Sequence, residues 1–136
     1  SAIGHEIEHL GDIISAVAES ERLGVCVDTC HVFAAGYEIR IASGYERLVD
    51  ELERFVTLER VKCFHVNDSK RECGSRVDRH DHIGKGKIGK EGFRHLVNDV
   101  RFARVPKILE TPKGTDGRGT DLDRVNLKRL RTLIAN

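Results

Sequence analysis

Residues 24–31 read GVCVDTCH, and this stretch decides the fold class. Its apolar run is too short and too rich in β-branched residues for a helix, and too continuous for a strand with one wet face. Similar runs recur at 61–66 and at 108–109. Short continuous apolar runs are typical of parallel strands that are buried on both faces. The sequence therefore predicts a parallel β-sheet.

Helices are predicted before, between and after these strands. Apolar residues recur at helical spacing in segments at about 3–19, 45–58 and 90–100, and in a final segment to Ala135. Thr120, with Asp123 three residues later, has the pattern of a capping box at the start of the final helix. One helix followed by three strand and helix units is typical of a parallel α/β sheet, either open and doubly wound or closed as a barrel.

Near the start of the chain, His5 to His9 match H-E-x-x-H, the zinc-binding signature of metalloproteases. The apolar stripe of the same predicted helix consists of Ile3, Ile7, Leu10, Ile14 and Val17. At about 3.6 residues per turn, both histidines point away from this stripe and toward solvent. A protease needs its two histidines on the wall of a cleft with a third ligand opposite them. We therefore interpret His5 and His9 as surface residues.

The composition is that of an ordinary globular protein. The chain has 136 residues, of which 39% are hydrophobic and 33% are charged, so we expect one domain or a piece of one. No apolar run approaches the roughly 18 residues of a membrane helix, and no secretory leader is visible. The four cysteines include no C-x-x-C pair, and we expect buried, reduced thiols. We predict a cytoplasmic protein with no membrane segment.

The charge pattern excludes a strong general polyanion binder, because the net charge is only +1. Basic clusters at 85–90 and 128–131 leave room for a modest surface that faces phosphate, although such runs are usually solvated helix faces. No Gly-rich dinucleotide or P-loop fingerprint follows any predicted strand. This pattern disfavours a nucleotide-binding protein.

Polar side chains stand at the carboxyl end of each predicted strand: Asp28 in the first, His65 in the second and Glu110 in the third. Because the carboxyl ends of parallel strands meet at one rim, we expect these side chains to converge. Two carboxylates and an imidazole suit a zinc-like divalent ion. Each residue also has a structural alternative: a helix cap for Asp28, a hydrogen-bonded core histidine for His65 and an arginine pair for Glu110.

A second set of candidate ligands lies in 78–89, DRHDHIGKGKIG. In an extended loop Asp78 and His80 reach the same side, and His31 can approach from the neighbouring loop. One aspartate and two histidines are a plausible zinc set with an open position. The glycines of this segment serve either tight turns or a close approach to phosphate. Two neighbouring metal sites suggest displacement at phosphorus.

Three segments, in this order and spacing, resemble one family: DTCHVFAAGYEI at 28–39, HVNDSKRECGSRVDRHDHIGKGKIG at 65–89, and ILETP at 108–112. They are similar to the carboxyl-terminal half of endonuclease IV, the zinc-dependent apurinic/apyrimidinic (AP) endonuclease of base excision DNA repair. The resemblance implies a TIM barrel that flips an abasic nucleotide out of duplex DNA. It also implies hydrolysis of the phosphodiester on the 5′ side, which leaves a 3′-hydroxyl, with three zinc ions.

The resemblance implies two ligand sets and no catalytic residue beyond the ligands. One zinc of a close pair is matched by Asp28, His65 and Glu110. The third zinc is matched by His31, Asp78 and His80. Arg79, between two ligands, becomes a candidate contact to DNA phosphate; an exposed arginine without a specific role is the alternative.

The chain is too short for the whole fold that the resemblance implies. A complete (β/α)₈ barrel takes about 250 residues, so we predict that 1–136 is the carboxyl-terminal part of a single TIM-barrel domain. The family's other ligands and DNA-wedging loops precede this part, and we expect weak or no activity from the chain alone. An open barrel has two unpaired strand edges, so we expect it to pair with the missing amino-terminal half or to self-associate.

Two other functions stay open from the sequence. TIM-barrel sugar isomerases and epimerases also gather Asp, Glu and His around divalent ions, which accounts for Asp28, His65 and Glu110 but less well for the second set. The second alternative is a non-catalytic, metal-binding remnant that packs with a partner chain. The choice between zinc and manganese also stays open.

Overall fold

The computed structural model describes residues 4–136, which alternate between helices and strands. The α-helices are α1 Ile7–Ala16, α2 Thr29–Ala35, α3 Ala42–Phe55, α4 Arg94–Val97 and α5 Leu122–Arg131. The strands are β1 Val25–Asp28, β2 Val61–His65, β3 Asp68–Ser69, β4 His80–Asp81 and β5 Lys107–Ile108. Short 3₁₀ turns lie at Ser20–Arg22, Leu58–Arg60, Lys90–Phe93 and Val100–Phe102.

The main sheet is parallel, as the sequence predicts, with the strand order β1, β2, β5. Strands β3 and β4 form a separate antiparallel hairpin. Within residues 4–136, β1 and β5 each pair on one side only, so the sheet does not close. The arrangement is a partial α/β barrel with two free strand edges.

The two faces of the main sheet differ in burial. Val25, Val27, Val61 and Phe64 are buried beneath the helices, while Cys26, on the opposite face, is exposed. We call the face that carries Cys26 and its neighbours the inner face. The prediction of strands buried on both faces is therefore wrong: Cys26 of β1 is exposed, and Ile108 of β5 is 49% exposed. The prediction of buried thiols is wrong for Cys26. The helices cover only one side of the sheet, and the described chain supplies nothing to cover the other.

A register shift between β1 and β2 sets which side chains share the inner face. Val25 pairs with Val61, but the next residue, Cys26, pairs with Cys63, so Lys62 is an extra residue in β2. Such a bulge reverses the alternation of side chains beyond it. After Lys62, each residue of β2 therefore points to the same side of the sheet as its pairing partner in β1.

The core lies between the outer face of the sheet and the helices. Helix α3 contributes Leu48, Val49 and Leu52, which are nearly inaccessible to solvent. Helix α1 passes close to the end of α3 at Gly11, where a Cβ atom would lie 2.6 Å from the Phe55 carbonyl oxygen. Only glycine permits this approach of the two backbones.

Helix boundaries also differ from the prediction. Helix α3 begins and ends about three residues earlier than predicted, and the predicted helix at 90–100 is broken into 3₁₀ turns and the single turn of α4. Helix α5 ends at Arg131 rather than at Ala135. Its N-cap is Asp121, whose carboxylate accepts from the Asp123 and Arg124 N–H groups, and not Thr120.

The first helix begins at Ile7, after the first histidine of the H-E-x-x-H match. His5 therefore lies outside the helix, and its ring contacts the His9 ring edge to face at 4.8 Å between centroids. Ile7 is buried, but Val17 is 40% exposed and lies past the helix end. Ile3 lies outside the described residues. None of the helices in 4–136 combines the length and the hydropathy that a membrane crossing requires.

Candidate metal centre

The carboxyl ends of the three parallel strands bring Asp28, His65 and Glu110 together. Asp28 and His65 are the last residues of β1 and β2 and are paired in register, and Glu110 follows β5 by two residues. The His65 Nδ1 atom lies 2.8 Å from Glu110 Oε2 and 3.8 Å from Asp28 Oδ2. One ligand atom from each residue lies within 4.8 Å of the others. We call this cluster the rim triad.

Asp28 serves the helix and the rim with different oxygens. Its Oδ1 accepts the His31 N–H at 3.0 Å and caps helix α2, which is the structural alternative the sequence left open. Its Oδ2 faces His65 and also lies 3.3 Å from His80 Nε2. Burial raises the pKa of this carboxyl, and the hydrogen bond from His31 opposes the rise. The cap holds the side chain so that its second oxygen points into the rim.

Asn67 connects Asp28 and Glu110 of the rim triad and is not among the residues predicted from the sequence. This fully buried residue donates from Nδ2 to Asp28 Oδ2 at 3.0 Å and accepts the Glu110 N–H on Oδ1 at 2.8 Å. Its backbone exchanges two further hydrogen bonds with the Thr29 hydroxyl, at 2.7 and 2.8 Å. The available signal was a pair of polar residues, Asn67 and Asp68, directly after a buried strand.

Asp78 bridges the two histidines of the second predicted set. Its Oδ2 lies 3.3 Å from His31 Nδ1, and its Oδ1 lies 3.4 Å from His80 Nε2. His31, Asp78 and His80 thus form a chain of contacts, but their ligand atoms are not gathered as one compact group. The compact group around His80 contains Asp28, Cys30 and Asp78. His80 therefore joins the second set to the rim triad through Asp28.

Cys30 lies beside this second set, whereas the sequence predicts only a buried, reduced thiol at this position. Its Sγ donates to the Arg79 carbonyl at 3.4 Å. Burial raises the pKa of the thiol to about 12, and a hydrogen bond with Ser69 opposes the rise. Its hydrogen bond to the Arg79 carbonyl ties helix α2 to the loop that carries Asp78 and His80.

The glycine-rich segment binds a carboxylate of the chain itself. The backbone N–H groups of Gly84, Gly86, Ile88 and Gly89 all point at the buried Asp68 carboxylate, at 2.9 to 3.3 Å. At Gly86 a Cβ atom would lie 2.4 Å from the Ser69 carbonyl oxygen. These N–H groups are therefore not available to phosphate. The alternative that the glycines allow a close approach to phosphate is wrong for these groups. Their role is to hold 84–89 against the β3–β4 hairpin that carries His80.

The remaining histidines have structural partners. His82 Nδ1 lies 2.9 Å from Asn126 Nδ2, and Asn126 also bonds Thr111 and the Ile83 N–H. His95 stacks on Tyr45. Neither these histidines nor His5 and His9 belong to a potential metal-ligand group in residues 4–136.

An open cleft of about 420 Å³ lies next to the second set, lined by Lys70, Asp78, Arg79 and His80. Lys70 and Arg79 are exposed, and their backbones are joined by a hydrogen bond of 2.9 Å. Two cations therefore flank a cluster of carboxylate and imidazole groups. This geometry suits an anionic ligand at the rim.

The sequence model of the xylose isomerase-like TIM barrel family matches residues 1–133. The chain belongs to this family. The match excludes the open, doubly wound sheet as an alternative and confirms that the partial barrel is a piece of a TIM barrel.

Individual members of this family resemble the chain closely. It is 57% identical over 134 residues to the probable endonuclease 4 of Chloroflexus aurantiacus. This alignment covers 98% of the chain and 46% of that relative. It is 51% identical to the probable endonuclease 4 of Geobacter sulfurreducens, over 98% of the chain and 44% of the relative. The similarity to endonuclease IV that the sequence indicates is therefore confirmed.

A solved structure supports the same relation. The crystal structure of endonuclease IV from Thermus thermophilus superposes with a TM-score of 0.80 at 40% identity, over 96% of the chain and 44% of that protein. The chain thus spans about half the length of the relatives it matches. This TIM-barrel chain corresponds to part of its relatives.

Proposed function

We propose that residues 1–136 are the carboxyl-terminal part of the single TIM-barrel domain of a cytoplasmic, zinc-dependent AP endonuclease that acts in base excision DNA repair. The reaction is hydrolysis of the phosphodiester 5′ to an abasic site in duplex DNA, which leaves a 3′-hydroxyl. The observation that carries this proposal is the rim triad, to which His80 and Asp78 of the second set are joined through Asp28.

The donor atoms at the rim fit zinc, because carboxylate oxygens and imidazole nitrogens are its usual ligands after thiolates. Asp28, His65 and Glu110 would hold one ion, and His31, Asp78 and His80 would hold another. Bound there, zinc would supply a Lewis acid for the phosphoryl oxygens and a water of lowered pKa. Asn67 holds the Asp28 carboxylate and the Glu110 backbone in place for this task.

Substrate DNA would meet the cleft beside the second set. Arg79 and Lys70 are exposed there, next to Asp78 and His80. Guanidinium and ammonium groups bind backbone phosphates without reading sequence. We propose Arg79 as the phosphate contact, because it lies between the two ligands in the chain and at the wall of the cleft.

The partner for activity is the missing amino-terminal half of the barrel. Strands β1 and β5 each have an unpaired edge in the described chain, and the relatives are about twice as long. Pairing of these edges with further strands would close the barrel. Without such strands, the chain is expected to self-associate through its unpaired edges. The chain alone is therefore expected to be weakly active or inactive.

A sugar isomerase of related fold is the competing enzyme. The rim triad suits it equally well, but the contacts from Asp78 to His31 and His80 have no use in that reaction. The relatives that share half or more of the residues are named endonuclease 4. Both observations favour the endonuclease over the isomerase. A non-catalytic remnant, by contrast, would bind metal but show no activity after the barrel is completed.

Metal content tests the site. Zinc per chain would be measured by mass spectrometry on the purified protein and on the variants His80→Ala and His95→Ala. We expect one or two zinc ions in the parent chain, one fewer in His80→Ala and no change in His95→Ala, whose ring lies against Tyr45 away from the rim. Equal zinc content in all three proteins would contradict the ligand assignment.

Barrel completion tests the reaction. The amino-terminal half of the Chloroflexus aurantiacus relative would be fused to this chain, and the product would be incubated with duplex DNA that contains one abasic site. We expect a nick on the 5′ side that EDTA abolishes and that His80→Ala removes. A folded, zinc-loaded fusion that leaves abasic DNA intact would refute the proposed function, and aldose to ketose conversion by it would favour the isomerase.

A further inference from the structure

Two thiols and an imidazole lie together on the inner face, where the proposed reaction uses no sulfur. One ligand atom from each of Cys26, Cys63 and His65 lies within 4.8 Å of the other two. Cys26 is exposed, and Cys63 and His65 are partly buried. The cluster lies directly below the rim triad, because Cys26 and Cys63 precede Asp28 and His65 by two residues in their strands.

The bulge at Lys62 creates this cluster. Without the register shift Cys26 would pair with Lys62, and the Cys63 side chain would point to the opposite face of the sheet. With the shift, Cys26 pairs with Cys63, and His65 follows on the same side at the two-residue period of a strand. Three donor side chains are thereby brought to one patch of a rigid sheet.

We propose that Cys26, Cys63 and His65 form an additional cation site, selective for thiophilic divalent ions such as Cd²⁺ and Zn²⁺. Zinc bonds sulfur at about 2.3 Å, and tetrahedral coordination then puts two sulfurs about 3.8 Å apart, which is within the spacing of the cluster. Soft thiolates favour such ions over Mg²⁺ and Ca²⁺, which require oxygen ligands. Two thiolates and one imidazole leave a fourth position open.

The site shares its histidine with the rim triad. His65 Nδ1 lies 2.8 Å from Glu110 Oε2, so the same imidazole belongs to an oxygen-rich set above and to a sulfur-rich set below. The site does not depend on the proposed endonuclease function, because its sulfur ligands take no part in that reaction.

The first test is a titration of the reduced chain with Cd²⁺, followed by the ultraviolet absorption of the sulfur-to-cadmium charge transfer. We expect the charge-transfer absorption to saturate at one sulfur-bound Cd²⁺ per chain, with the intensity of two thiolates. Added Zn²⁺ should displace the Cd²⁺, and Mg²⁺ should not. A folded chain, as judged by circular dichroism, that shows no such absorption would overturn the proposal.

Cysteine variants locate the sulfur ligands. Cys26→Ser and Cys63→Ser should each weaken Cd²⁺ binding by at least about tenfold, since even the loss of an outer partner of a ligand has that effect. Cys73→Ser is the matched control, because this thiol is also partly buried but lies outside the ligand groups of residues 4–136. Absorption that survives both ligand variants and disappears in Cys30→Ser would assign the sulfur to the second set and overturn the proposal.

A measurement on the parent chain avoids any effect of substitution on folding. The reduced protein would be alkylated with iodoacetamide, with and without one equivalent of Cd²⁺, and each modified cysteine would be quantified by mass spectrometry. We expect Cd²⁺ to protect Cys26 and Cys63 by roughly tenfold and to leave Cys73 unprotected. Equal protection of all three, or protection of neither member of the pair, would contradict the site.

Discussion

Replacement of Asn67 by alanine is expected to weaken the fold and the rim triad together. The side chain is fully buried and makes two hydrogen bonds that join different strand ends, one to the Asp28 carboxylate and one to the Glu110 N–H. Alanine removes both partners and leaves the carboxylate without its buried donor. The carboxyl ends of β1 and β5 then lose their common support.

The expected cost follows from the two bonds. A hydrogen bond to a charged group contributes roughly 1.5–3 kcal/mol and a neutral one roughly 0.5–1.5 kcal/mol. The sum is about 2–4.5 kcal/mol of unfolding free energy. This is a large fraction of the stability of a small domain, which is about 5–15 kcal/mol. We also expect at least a tenfold loss of zinc affinity, because residues that orient ligands have effects of that size.

Urea unfolding followed by circular dichroism measures the first effect, and a competition titration with a zinc chelator measures the second. Asn126→Ala is the matched control, because Asn126 is equally buried and bonds the Ile83 N–H and the Thr111 hydroxyl. It should lose similar stability and keep its zinc affinity. An Asn67→Ala protein within about 0.5 kcal/mol of the parent, or one whose zinc affinity falls no more than that of Asn126→Ala, would refute the reasoning.

Three further predictions concern stability. Asp121→Ala removes the cap of α5 and should lower the unfolding free energy by about 1 kcal/mol, whereas Thr120→Ala should change it little; urea midpoints distinguish the two. Gly86→Ala should cost roughly 1–3 kcal/mol through overpacking, and Gly117→Ala, with open space around its Cβ, should be tolerated. Equal midpoints for the two glycine variants would argue against the close packing. Burial raises the pKa of Asp99, but hydrogen bonds from neighbouring guanidinium and phenol groups outweigh it and lower the pKa. Its contribution is therefore complete above about pH 4 and lost as the pH falls through the lower folded value, so an acid titration should show a shallower stability loss in Asp99→Asn.

The convergence of the rim triad could be predicted from the sequence because it depends on topology. Asp28, His65 and Glu110 each stand at or near the end of a short apolar run, and parallel strands deliver such ends to one edge. The prediction needed no knowledge of side-chain contacts. The position of His80 beside Asp28 Oδ2 could not be predicted, because it depends on a hairpin that no sequence pattern indicates.

Helix ends and loop roles were harder to predict for a different reason. A capping pattern at Thr120 and Asp123 is locally sound, yet the Asp121 carboxylate reaches the free N–H groups instead. The glycines at 84–89 match a phosphate cradle equally well, until Asp68 is found to occupy their N–H groups. In both cases two groups compete for the same donors, and the three-dimensional path of the backbone decides between them.

The sequence by itself determined the α/β class, the parallel direction of the strands, the family and the residues at the strand ends, because periodicity and local chemistry are properties of short segments. Only the tertiary structure decided that Asn67 joins the rim, that Asp68 holds the glycine segment, and that the bulge at Lys62 places Cys26 beside Cys63. Each of these depends on register or on a contact between distant segments. A one-residue shift moves a side chain to the other face of a sheet, and the spacing of residues within one segment does not record such a shift.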